Sequence, residues 1–373
     1  MISLRRDFHA HPELGFQEER TSEIIYDYLT ELGLEVERIA KTGVVGLLRG
    51  DKPGKTVMLR SDIDAVPVEE ENELDFKSQN KGVAHNCGHD GHMSMMLIAA
   101  KILSENKDKI KGNIKFAFQP NEEDAGAYLM IEDGVMEEPE VDAVLGIHLW
   151  SLIESGKIGI VEGPIMASSN YFKVNLKGKG GHAGAPHDSI DPIAGATSLV
   201  DNVYKMQSRE LNAVKPTVIS FCKIMADSTP TIIPEEVELE GSIRCLHDGF
   251  QDVRDRVERI VENTARASRL DYEFETRLGN SLLNNDPELT ELVKKTAGNL
   301  IGENKLESDV QVMLGEDFAE YSEFAPVAFY FVGVADEEKG TDYPHHHPRF
   351  NIDEDVLSLG VKMHIMTALN YLD

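Results

Sequence analysis

The chain has 373 residues, with 37 basic and 66 acidic side chains and a formal net charge of −29. That length exceeds one typical domain and predicts two, and that charge repels nucleic acid and anionic membranes, which excludes both as partners. With 41% hydrophobic and 28% charged residues, the composition is that of a globular protein able to bury a sizeable core, not of a disordered chain. The acidic surplus is compatible with bound cations but equally with a solvated surface. Cys87, Cys222 and Cys245 are too few, and odd in number, to build a disulfide framework, which points to a reducing compartment. The opening MISLRRDFHAHPELGF has no apolar stretch of signal-peptide length, and the longest apolar segment, Met93 to Leu103, still holds Lys101 and is too short to cross a membrane. A cytoplasmic protein is expected.

No repeat or low-complexity tract interrupts the chain. Residues 17–32 place Ile24, Ile25, Tyr28, Leu29 and Leu32 on one face and predict a helix. Strands are expected at 34–39, 44–49 and 55–60, a Met-, Leu- and Ala-rich helix at 92–105, and buried strands at 113–118 and 141–149. This alternation predicts an α/β domain with helices on both faces of its sheet. From 167 to 281 the pattern changes. A half-exposed strand at 170–177 is followed by a helix at 191–208, strands at 216–225 and 235–246, a charged helix at 249–269 and a strand at 271–277. That order, β-α-β-β-α-β, is the split βαβ of ferredoxin-like domains. Helices at 286–301 and 353–371 and a strand at 326–333 then resume the first pattern. We expect a discontinuous main domain, 1–166 and 282–373, interrupted by an inserted one, 167–281.

Several ionisable clusters follow predicted strands: Asp62 and Asp64 after 55–60, Glu122 and Glu123 after 113–118, and His148 at the end of 141–149, while Cys87 and His89 lie in a loop before the helix at 92. Sites in open α/β sheets gather at the carboxyl ends of strands, so four segments could converge. A thiolate and an imidazole separated by one glycine can reach a single metal, and sulfur with nitrogen suits transition metals. Equally, Cys87 could be a buried structural thiol beside a helix-capping Asp90, and His92 a supporting or core histidine. In Gln119-Pro120-Asn121-Glu122-Glu123 one carboxylate could bind metal while the other takes the proton of a metal-bound water, or the pair could be an exposed acidic turn. His148 could be a satisfied core histidine, and His345-His346-His347 a surface tract. There is no HExxH helix, GxSxG elbow or P-loop, and GKGGHAG lacks the helix that a dinucleotide site needs.

Taken in order, RSDIDAVPV, HNCGHDGHM, QPNEED, GIHLW, GKGGHAGAPH, GEDFAEY and HHHPRF resemble the aminoacylase and carboxypeptidase-like di-metal metallopeptidases. The resemblance covers nearly the whole chain and is closest to the branch of hippurate hydrolases, auxin-conjugate hydrolases and bacterial N-acyl amino acid amidohydrolases. It implies a mixed-sheet catalytic domain with an inserted ferredoxin-like lid that also forms a homodimer. It implies that Cys87, His89, Glu123, His148 and His346 hold two divalent transition-metal ions (Mn, Zn, Co or Ni), with Cys87 bridging. His346 is chosen among the three histidines because the family ligand lies two residues before the proline. Glu122 would be the general base and acid, and Asp64 would orient a ligand, although Asp62 and Asp64 could be ordinary loop-capping carboxylates. From the lid, His182 would polarise the scissile carbonyl and Arg244 would clamp the substrate carboxylate, unless they are a strand-turn histidine and a salt-bridge partner.

Two departures stand out. Thr231 is a candidate substrate-binding residue where many relatives have asparagine, and it is shorter and lacks the amide NH₂. Asp124-Ala125-Gly126 replaces a glycine run, and the extra carboxylate could tune the metal site or simply face water. The activity implied is hydrolysis of small N-acyl amino acids. N-acetyldiaminopimelate deacetylation and dipeptide or carboxypeptidase cleavage share the chemistry. A catalytically silent metal-binding protein is the contrasting class, against which an intact Glu122 argues.

Overall fold

The computed structural model describes residues 1–373. The chain divides into two compact units, one of Met1–Ile165, Leu283–Gln311 and Glu316–Asp373, the other of Met166–Leu282 with Val312–Gly315. The four-residue return at 312–315 joins the second unit through a backbone bond from Ala167 N–H to the Leu314 carbonyl, 2.9 Å. No helix is long and apolar enough to cross a membrane.

The first unit begins with helices α1 (Ile2–Ala10) and α2 (Glu19–Glu31), followed by strands β1 (Glu35–Ile39), β2 (Gly43–Arg49) and β3 (Lys52–Asp62). Helix α3 (His89–Ser104) and strands β4 (Lys111–Gln119) and β5 (Ala143–Glu154) come next. They build an eight-stranded sheet in the order β1-β2-β4-β3-β5, then Val327–Ala335, Ile158–Gly159 and Leu306–Glu307. β4, β3, β5 and Val327–Ala335 run parallel, while β1 and β2 add antiparallel. The sheet is therefore mixed, and the carboxyl ends of β3, β4 and β5 lie side by side, with Asp62 in register with Gln119 and Arg60 with Gly146. Val57, Leu59, Ile114, Phe116, Leu145 and Tyr330 from the sheet share one core with Met93, Met96 and Leu97 of α3 and with Leu357, Val361 and Ala368 of the last helix, Leu357–Leu372.

Three local readings are corrected. α3 starts at His89, not at 92, because Gly88 (φ +95°) takes a left-handed turn that most residues resist, and Asp90 falls in the favoured first turn. β5 continues past Leu149 to Glu154, so His148 lies within a strand rather than at its end; the extension is paired by Ala335 opposite Glu154. α1 was not anticipated from sequence, since its buried face includes Arg5 and His9.

The second unit carries a four-stranded antiparallel sheet in the order Thr217–Met225, Glu236–Cys245, Ser168–Lys177, Asp271–Leu278. In Glu236–Cys245 every second residue is buried, as expected of a sheet with one covered face. The cover is two helices, Pro192–Glu210 and Phe250–Ala267, whose Leu199, Val203, Val257 and Val261 pack with Val174, Leu239 and Ile243.

Candidate metal centre

In the first unit, strand β5, the start of α3 and the loops beside them bring Cys87, His89, Glu122, Glu123, His148 and His346 to one place. Cys87 Sγ lies 3.7 Å from His148 Nε2, and His346 Nε2 lies 3.0 Å from Glu123 Oε1. Five donor trios form, and two of them, Cys87–His89–His148 and Cys87–Glu123–His346, meet in one thiol, with the atoms of each within 4.8 Å of one another. Cys87 belongs to both. Cys87, His89, His148 and Glu122 are buried, while Glu123 and His346 sit at the exposed rim.

The hydrogen bonds assign the imidazole tautomers. His89 Nδ1 donates to the Asp64 carbonyl at 2.9 Å, which leaves its Nε2 buried without a partner, 3.7 Å from Asp62 Oδ2 and 3.9 Å from Glu122 Oε2. His148 Nδ1 donates to the Leu149 carbonyl at 2.8 Å, so its Nε2 lone pair faces Cys87. An orphaned buried imidazole nitrogen, a thiol and a second free imidazole are donors that suit transition-metal cations, so the residues present fit the metal pair that the sequence implies. Asp64 accepts from Glu123 N–H at 3.1 Å and places Oδ1 3.2 Å from His89 Nδ1, touching both trios.

The electrostatics describe a centre short of positive charge. Burial, then the neighbouring Glu316, Glu123, Asp317 and Asp64, push the Glu122 carboxyl well above the ordinary range. Burial and Glu123, Glu122 and Asp62 raise the Cys87 thiol likewise. Burial opposes the charged form of His89, but Asp62, Asp64 and Glu123 outweigh it and lift the imidazole to about 10. Burial, helped by His92 and His345, lowers His148. Each carboxylate and thiolate here would be relieved by a cation.

Local backbone strain frames the ligands. Asn121 (φ +54°) and Ala125 (φ +64°) bracket Glu122 and Glu123, and His346 itself has φ +63°. Such conformations persist in non-glycine residues only where the surroundings hold them. For His346 the hold is Asn86, whose carbonyl accepts from His346 N–H and whose Nδ2 donates to the His347 carbonyl, each at 2.8 Å.

Of the support around these groups, sequence reasoning anticipated His92 as a supporting or core histidine and missed the rest. Arg60, 1% exposed, binds Asp62 at 2.8 Å, Asp317 at 2.8 Å and Glu316 at 3.1 Å, and donates to Gln119 Oε1 at 2.9 Å. Gln119 also donates to Asp317 and accepts from the Tyr321 hydroxyl at 2.9 Å. His92 donates from Nδ1 to Asp62 at 2.6 Å and accepts Leu149 N–H on Nε2 at 2.9 Å, so it is committed on both nitrogens. His345 donates from Nε2 to the Leu149 carbonyl at 3.0 Å and lies against Trp150 with ring centres 4.4 Å apart. The GEDFAEY motif, singled out without an assigned role, was the available signal for Glu316, Asp317 and Tyr321.

In the second unit, Gly181–His182 pairs with Ile232–Ile233, and Ala183 N–H bonds the Thr231 carbonyl at 3.0 Å. His182 Nδ1 accepts from Gly184 N–H at 2.9 Å, which puts the proton of the neutral ring on the exposed Nε2. His182 and Thr231 line a groove of about 1220 Å³. Arg244 is half-buried, donates to the Met313 carbonyl at 3.2 Å, and lines a separate cavity of about 570 Å³ with Tyr171, Ser242 and Arg277.

The chain was compared with known proteins. The model of peptidase family M20/M25/M40 matches residues 58–370. Thermostable carboxypeptidase 1 of Saccharolobus solfataricus is 41% identical over 379 residues, covering 100% of this chain and 95% of that protein. An N-acyl-L-amino acid amidohydrolase of Geobacillus stearothermophilus is 44% identical over 278 residues, covering 74% and 75%. Among solved structures, a dinuclear metal-binding peptidase of Bacillus subtilis from the M20 family superposes with a TM-score of 0.88 at 32% identity, covering 100% of this chain and 97% of that one.

Proposed function

The chain belongs to peptidase family M20/M25/M40, in its amidohydrolase branch, and from that premise we propose that it hydrolyses the amide bond of N-acyl amino acids to a carboxylic acid and a free amino acid. The observation that carries this reading is Cys87 shared between two donor trios, with the Glu122 carboxylate beside them but in neither. Cys87, His89, Glu123, His148 and His346 would hold two divalent transition-metal ions (Mn, Zn, Co or Ni), which when bound supply Lewis acidity and an acidified water.

The chain's own residues do the rest. Glu122 takes a proton from the attacking water on a carboxylate oxygen and returns it to the departing amide nitrogen. Its neighbours Glu316 and Asp317 favour its protonated form once the proton has arrived. Asp64 fixes His89 and the Glu123 backbone together. His182, with its proton on Nε2, donates to the carbonyl oxygen as negative charge develops there. The planar guanidinium of Arg244, free of any carboxylate partner, takes the substrate carboxylate in two parallel hydrogen bonds. Thr231, next to the His182 strand, is a lesser substrate contact. The second unit, whose strand order is that of a split βαβ, is a ferredoxin-like lid through which two cytoplasmic copies pair.

A second reading is peptide cleavage, favoured by the full-length likeness to a carboxypeptidase; deacetylation of N-acetyldiaminopimelate is a third. Release of free amino acid from N-acetyl and N-benzoyl amino acids, N-acetyldiaminopimelate and dipeptides, with Mn, Zn, Co or Ni added to chelated enzyme, separates them. Turnover of the N-acyl compounds over dipeptides is expected. Dipeptide preference transfers the function to the second reading, and full turnover with no metal by elemental analysis ends the mechanism.

A further inference from the structure

We infer that the N-terminal segment Arg5–Glu18 is a positioning element for the candidate centre, holding the loop of Cys87 and His89 from one side and the turn of Glu122 from another. The inference rests on the metal and base roles proposed for those residues.

The first hold is on Asp90, which directly follows His89 and is fully buried. Arg5 Nε donates to Asp90 Oδ2 at 2.8 Å, and His9 Nδ1 meets the same oxygen at 2.8 Å. Both partners are anchored in turn: Arg5 by Glu354 at 3.1 Å and Asn351 at 2.9 Å, His9 by Glu70 at 3.2 Å. Gly88, at φ +95°, permits the Cys87–His89 turn but cannot impose it, because glycine has many other conformations open to it. A carboxylate pinned one residue beyond His89 supplies the constraint.

The second hold runs along the chain. Ala65, which follows Asp64, donates to the Glu13 carbonyl at 2.8 Å, and Leu14 bridges Ala65. The Gly15 backbone lies directly against Asn121, since a Cβ there would come within 1.8 Å of its Oδ1. Glu18, fully buried, accepts Asn121 N–H on Oε1 at 3.0 Å and the Thr42 hydroxyl on Oε2 at 2.6 Å. Asn121 is the left-handed residue that opens the Glu122–Glu123 turn. Burying so many charges is a poor way to add stability compared with apolar packing, and what such networks secure is one arrangement over others.

The test uses the full-length enzyme loaded with cobalt(II), whose bond to the Cys87 thiolate gives a charge-transfer band independent of turnover. Asp90→Asn is expected to weaken cobalt affinity about 10–100-fold, the usual effect of losing an outer support, and to alter the band. Glu18→Gln is expected to keep the thiolate band, to weaken cobalt affinity less than Asp90→Asn does, and to lower kcat at least about tenfold with KM unchanged, because the released turn carries both the base Glu122 and the ligand Glu123. Should Asp90→Asn fail to fold, Arg5→Lys, which keeps the charge but loses the fork, is measured instead, with the same change expected at smaller amplitude. Val293→Ala, a core truncation in the same unit, is the control for lost stability and should leave band and affinity alone. Wild-type cobalt affinity and band in the Asp90 or Arg5 variant, or a wild-type kcat in Glu18→Gln, overturns the inference. Absence of a thiolate band in the wild type instead sinks the metal reading on which it rests.

Discussion

The two units carry their reactive side chains in opposite settings. In the first, Cys87, His89, His148 and Glu122 are buried among Arg60, Asp62, His92, Glu316 and Asp317, whose charged atoms are paired with one another, while His89 Nε2 is left without a partner. In the second, His182 and Thr231 are exposed, and Arg244 is held by a single backbone carbonyl. Groups that work by a fixed field need a dry, preorganised setting, because reorganising them during reaction would cost most of their effect. Groups that meet a changing substrate are better left with open hydrogen-bonding capacity. The contrast predicts that substitutions in the first unit can change metal binding or stability as well as chemistry, whereas those in the second change chemistry alone.

The sharpest way to break that contrast is Glu122→Gln. Turnover should fall about 10²–10⁴-fold, the range for losing a general base, while cobalt content stays at the wild-type level. Because Glu122 is crowded by Glu316, Asp317 and Glu123, removing its charge should leave the unfolding midpoint of the chelated protein unchanged or raised. A variant within threefold of wild-type kcat would remove Glu122 from the chemistry. Next in size is His182→Ala. The loss expected is about 10²–10³-fold in kcat, as for a donor to a developing oxyanion, with thermal stability and metal affinity untouched because the side chain is exposed. A fall in stability matching the fall in rate would show that His182 is structural.

The smallest effect concerns stability alone. Burial holds His364, in the last helix of the first unit, neutral and lowers its imidazole from an ordinary 6.5 to about 3. The unfolded chain therefore binds the extra proton between those values, so stability is complete above about pH 6.5 and declines as the pH falls below it. At about 1.4 kcal/mol per unit, His364 accounts for about 2 kcal/mol of destabilisation between pH 6.5 and pH 5. Urea titrations at the two pH values should show a loss about 2 kcal/mol larger in the wild type than in His364→Gln, the other buried histidines contributing equally to both; equal losses for both would exclude the assignment.

Much of the local structure was readable because it rests on periodicity. The apolar run NIKFAF falls within β4 and KTVMLR within β3, and the alternation of EEVELEGSIRCL reports a sheet with one covered face. Composition and pattern could not reveal α1, whose buried face includes Arg5 and His9, residues that a sequence reading assigns to solvent. Spacing pointed to Cys87 and His89, and position after strands to Glu123 and His148, but the full set with His346 came only from motif likeness, since the nearest of them to His346 in the chain is 198 residues away. Their supports were less legible still. Arg60 reads as the polar end of a strand, and only the approach of Glu316 and Asp317, more than 250 residues on, makes it the buried counter-charge of three carboxylates. Hydrophobic patterning is a property of neighbours in the chain, so the sequence by itself settled most of the helices and strands and the side each buries, though not α1, the start of α3 or the end of β5. Which charges share a cavity, which nitrogen of each imidazole is left free and which carboxyl is made readier to accept a proton depend on distances between remote segments and on the water excluded from between them, and only the tertiary structure decided those.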